Sequence, residues 1–158
     1  MQDGLPGYEE LSRMTDEQLT QLFGVRDPFV YEVDVAAIAG AASANVSFTI
    51  ASDSNFLWQY SACFADIAAA VQTDSSRVLP LVTVTIQDGS SGRQLMNSAV
   101  PLPALFGFGS LPFLLPTPRF FRAQTTVNLS LTNYTAATTY GLRLSFIGTK
   151  FFRFANAQ

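Results

Sequence analysis

Carboxylates are the first residues to weigh for chemistry. Glu32 and Asp34 stand two apart in a strand-like run, so they share a face. A pair of carboxylates about 5 or 9 Å apart can hydrolyse glycosides. On an ordinary solvated strand, however, acids at i and i+2 are simply the polar face. Asp53, Ser54, Asn55, Asp66 and Asp88 offer oxygen ligands for Ca²⁺, but none has EF-hand spacing, and turn chemistry accounts for them without a metal. Gly89-Ser90-Ser91-Gly92 lacks the Gly-Lys-Ser/Thr ending of a phosphate loop, and Gly107-Phe108-Gly109 is a loop feature rather than half a dinucleotide fingerprint. Cys63 is the single cysteine, flanked by Ala62 and Phe64, and reads as a buried, inert thiol. With no histidine in 158 residues, neither a Ser-His-Asp nor a Cys-His nucleophile can be assembled, and no Cys/His zinc site either. The expectation is a protein that is not an enzyme, with no catalytic residues, no metal and no cofactor.

The composition turns attention from chemistry to contact. Fourteen phenylalanines and eight arginines stand against one lysine, Lys150. Interfaces favour aromatics and Arg over Lys, so this balance suits either a surface made to be covered or a Phe-rich core. Charge is split along the chain. Up to Asp88 there are twelve acids and three arginines, a net of −9; beyond it six bases and no acid give +6. If the two halves interleave in one sandwich, these charges partly neutralise each other; if the first segment reaches away, acidic arm and basic body can meet in neighbouring copies. Six scattered bases make too thin a footprint for nucleic acid. The apolar stretch 99–116 carries four prolines and two glycines, which exclude a spanning helix. The start of the chain has no secretory pattern, so synthesis in a cytoplasm and no membrane partner are expected.

The elements that position these residues divide the chain into an arm at 1–27 and a β-sandwich domain at 28–158. Thr15-Asp16-Glu17-Gln18 opens a short helix, with Thr15 as cap and Gln18 at the capping-box position. Leu19, Leu22 and Phe23 form its apolar stripe, and Gly24 ends it. So short a helix needs something to pack on, either its own domain or another subunit. From Pro28 the pattern turns to strands: 29–35, 45–50 with Val46, Phe48 and Ile50 on one face, 56–64, 78–86, 125–131 and 140–152. Residues 66–71 suit a helical turn. A tight turn at 88–92 leads into 93–100 as the return of a hairpin. Residues 101–118 read as a long Pro/Gly/Phe loop with at most one short strand. Seven or eight alternating strands without a βαβ pattern predict an all-β, antiparallel β-sandwich, jelly-roll-like, with a short N-terminal helical arm.

Loops run over the surface, and one this apolar either wants covering or folds back to plug an end of the sandwich. The interface candidates are therefore Leu19, Leu22 and Phe23 on the arm, and Phe106, Phe108, Leu111 and Phe113 in the loop. Removing the first 24 residues is expected to weaken docking while leaving the sandwich folded. A different class of function, a glycan-binding sandwich, would use Trp58, Tyr60, Tyr134 or Tyr140 as stacking platforms.

Several segments in this order carry a resemblance. They are Asp53-Ser54-Asn55-Phe56-Leu57-Trp58; Val82-Thr83-Val84-Thr85-Ile86-Gln87-Asp88-Gly89-Ser90-Ser91-Gly92-Arg93; Leu115-Pro116-Thr117-Pro118-Arg119-Phe120-Phe121; Asn128-Leu129-Ser130-Leu131-Thr132-Asn133; and the closing Leu142 to Lys150. Across about residues 28–152 the chain resembles the small β-sandwich structural proteins of tailed-bacteriophage virions, of the head decoration or cement type. The resemblance implies a non-catalytic protein on the outer capsid surface that binds and stabilises the major capsid protein lattice. It also implies self-association as a homodimer or homotrimer. A neck or tail component anchoring fibres is the alternative within the same structural class.

Overall fold

The computed structural model describes residues 8–67 and 78–152, except for the side chains of Tyr8 and Phe23. Among the described residues, two α-helices, α1 (Tyr8–Leu11) and α2 (Asp16–Phe23), precede eight strands. The strands are β1 (Arg26–Ile38), β2 (Ser43–Thr49), β3 (Ser54–Asp66), β4 (Val82–Asp88), β5 (Val100–Pro101), β6 (Phe113–Phe121), β7 (Thr126–Asn133) and β8 (Tyr140–Phe152). They pair antiparallel in two four-stranded sheets, ordered β1-β8-β3-β6 and β2-β7-β4-β5. The fold is an all-β sandwich. No helix among the described residues is long and apolar enough to cross a membrane.

Alternation builds the core. Val82, Val84 and Ile86 of β4, Val127, Leu129 and Leu131 of β7, and Leu142, Leu144 and Phe146 of β8 all point between the sheets and are buried. Aromatic rings fill the space among them. Phe146 lies 4.7 Å from both Trp58 and Phe48 and 5.5 Å from Phe106, edge to face with the last. Among the described residues, six phenylalanines are buried: Phe56, Phe106, Phe120, Phe121, Phe146 and Phe151. Lys150, the single lysine, is buried with its ammonium 3.6 Å above the Phe29 ring, where the ring face stabilises the charge. Gln59 makes a bulge in β3, and the Trp58 indole donates across it to the Tyr60 carbonyl at 2.9 Å.

The arm packs on its own sheet. Thr15 and Gln18 form the expected capping box, and Gly24, at φ 82°, ends α2. Leu11 and Leu19 lie with Met14 over Leu57, Phe120 and Phe151, a second small core on the outer face of the β1-β8-β3-β6 sheet. Arg26 holds Asp16 of α2 at 3.1 Å. Removing 24 residues would uncover that core, so truncation is not the neutral excision that the sequence suggested.

Three expectations change. The return of the β4 hairpin is a strand only at Val100–Pro101, with a lone bridge from Gln87 to Gln94. Residues 78–81 are not strand. Part of the supposed loop is the nine-residue strand β6, despite Pro116 and Pro118. β6 is an edge strand with its register broken between Trp58 and Tyr60 of β3, so missing N–H donors there cost no ladder bond. The suggested helical turn at 66–71 falls mostly outside the described residues.

Candidate interaction surface

The outer face of the β1-β8-β3-β6 sheet follows from register. Val30 faces Ile147, Ile147 faces Tyr60, and Tyr60 faces Leu114. Opposed residues project to the same side, so these four form one apolar row across all four strands, about 14 Å wide at the usual strand spacing. Val30 is 47% exposed, Tyr60 39% and Leu114 60%, while Ile147 is half-buried. The neighbouring positions, Leu57, Phe120 and Phe151, are covered by the arm. Coverage stops one row short. On the other side, Asp34, Arg143 and Phe64 follow in register, with Phe64 exposed and Arg143 paired to Glu32 at 3.6 Å.

Of the sequence candidates, Leu19 is fully buried on its own sheet, and Phe106 is buried in the core against Trp58 and Phe146. Neither is free to meet a partner while arm and loop stay docked. Phe113 is half-buried against the main core, and Phe108 is half-buried in a bridge with Leu111. Leu22 and Leu111 are exposed, Leu111 at 77%. Phe23 lies outside the described side chains. The loop thus plugs the sandwich with Phe106 and leaves its tip outside.

Gly107 explains why the loop can return so closely. Its N–H donates to Ser61 and its carbonyl accepts from Cys63, which extends the edge of β3. A Cβ there would collide with the Leu111 carbonyl and would stand 2.6 Å from the Phe113 nitrogen. Sequence reasoning missed Val30 and Ile147, because cross-strand register is not written in local alternation.

Three of the chemistry candidates, Glu32, Asp88 and Cys63, have defined partners or surroundings. Glu32 forms its ion pair on the polar face. The Asp88 carboxylate accepts from the backbone and hydroxyls of Ser90 and Ser91, at 2.8 to 3.4 Å. Burial pushes its pKa up, but those four hydrogen bonds together outweigh burial and hold it below the ordinary value. Burial raises the Cys63 thiol to about 11, which keeps it protonated near neutrality. Among the described residues, no three His, Cys, Asp or Glu side chains gather as metal ligands. Trp58 and Tyr140 are buried and present no ring face to a glycan; Tyr60 and Tyr134 are exposed. A second apolar hollow of about 220 Å³, lined by Leu79, Leu81, Pro101, Pro103 and Tyr134 among others, sits at the β4–β5 edge. No family model, curated protein or solved structure matches this chain.

Proposed function

We propose that this protein is a non-enzymatic structural component of a bacteriophage virion, a decoration or cement protein that docks on the major capsid protein lattice. The observation that carries the reading is the partly exposed apolar row Val30-Ile147-Tyr60-Leu114 across one sheet. Contiguous exposed apolar surface of this kind marks an interaction site. Covering these partly exposed side chains would contribute a few kcal/mol per copy. A homodimer or homotrimer would compound that through avidity across repeated lattice sites.

The strand order supports the same class. Eight strands divide between two sheets as 1-8-3-6 and 2-7-4-5, which we read as the two interlocked Greek keys of a jelly roll, an architecture that recurs in viral capsid proteins. A neck or tail position that anchors fibres uses the same face on fewer copies.

Binding of purified protein to empty shells tests the row. The Tyr60→Glu/Leu114→Glu variant should fold and melt like the parent, since both side chains are exposed, yet lose shell binding by at least tenfold. Undiminished binding by the folded variant would contradict the assignment of this face.

A further inference from the structure

The arm, the hairpin after β4 and strand β6 meet around a cavity of about 260 Å³ lined by Glu9, Ser12, Arg13, Arg93, Thr117 and Arg119. Three arginines from three separate segments thus line one cavity, in a protein whose overall charge is −3. The single carboxylate in the lining, Glu9, reaches Arg93 at 3.6 Å, well beyond the 2.7–2.9 Å of a firm charge-assisted bond. No ion pair involves Arg13 or Arg119 among the described residues. Among the described residues of the lining, three arginines and one carboxylate sum to a net +2.

We propose that this cavity binds a phosphate group, as inorganic phosphate or as a small phosphomonoester. Charge decides between anions. A single carboxylate would leave the lining at +1, whereas a phosphate near pH 7, carrying about −1.5 to −2, brings it close to neutral. The planar forks of arginine suit the tetrahedral oxyanion, and the hydroxyl of Thr117 stands in the same lining as a further donor. The cavity is larger than one phosphate needs, which leaves room for the group it is esterified to. None of these residues belongs to the apolar row, so the site stands or falls separately from docking.

Calorimetric titration of the full chain at fixed ionic strength tests it, with inorganic phosphate, glycerol phosphate and hexathymidylate as probes. The expected result is saturable binding of phosphate and of the monoester at one site per chain. Arg13→Gln and Arg119→Gln should each weaken it about tenfold, the loss of one charged hydrogen-bond partner. Glu9→Gln should tighten it several-fold by removing the competing carboxylate, a gain that misfolding cannot produce. Absence of saturable binding would overturn the proposal, as would full binding by the Arg13→Gln/Arg119→Gln double variant. Binding of hexathymidylate alone, whose internal links are diesters, would also overturn it.

Discussion

Asp88 ends β4 with its carboxylate inside the turn that follows, accepting from both Ser90 and Ser91. Because that group binds its proton less readily folded than unfolded, the unfolded chain takes up more protons in acid. Its stabilisation is complete above the ordinary carboxylate range and is lost as the pH falls below about 4 and through the lowered folded value. Asp88→Ala should cost about 2 kcal/mol in urea melts at neutral pH, and the gap to the parent should narrow in acid. Cys63 makes a complementary case. Its raised pKa and burial predict no alkylation by iodoacetamide at pH 7.5 in the folded protein and full alkylation in denaturant. Thr15 and Gln18 were legible from spacing alone, because a capping box is local. Tyr60 was noticed only as an aromatic, and its place in a row was not, because that depends on partners more than 50 residues away along the chain.

At the scale of elements, β8 was readable to its ends, since thirteen residues of alternation leave little ambiguity. β6 was not, because Pro116 and Pro118 argue against a strand everywhere except at an edge. The arm helix was readable as a helix, but its partner was not: an apolar stripe says that something must be covered, not what covers it. The structure puts Leu19 on Leu57, Phe120 and Phe151 of the same chain. Leu19→Ala should therefore cost about 2–4 kcal/mol through the cavity it leaves. It should also raise hydrogen exchange in α2 more than in β8. Unchanged exchange in α2 would mean that the arm is held by other contacts.

The whole molecule resolves the charge split. The acidic strand β1 lies beside the basic strand β8, and ion pairs link Glu32 to Arg143 and Glu9 to Arg93, so the two halves partly neutralise each other within one sandwich. Two sheets with an interior of Trp58, Phe106 and Phe146 leave one outer face half covered by the arm, and the uncovered row is the surface on which the functional account rests. That account is tested most directly by counting copies in purified virus particles, by quantitative mass spectrometry against the major capsid protein. A ratio within a few-fold of unity is the predicted result. Absence from the particles would contradict the virion assignment, and a ratio of about one in fifty would contradict the lattice position and move the protein to the neck or tail.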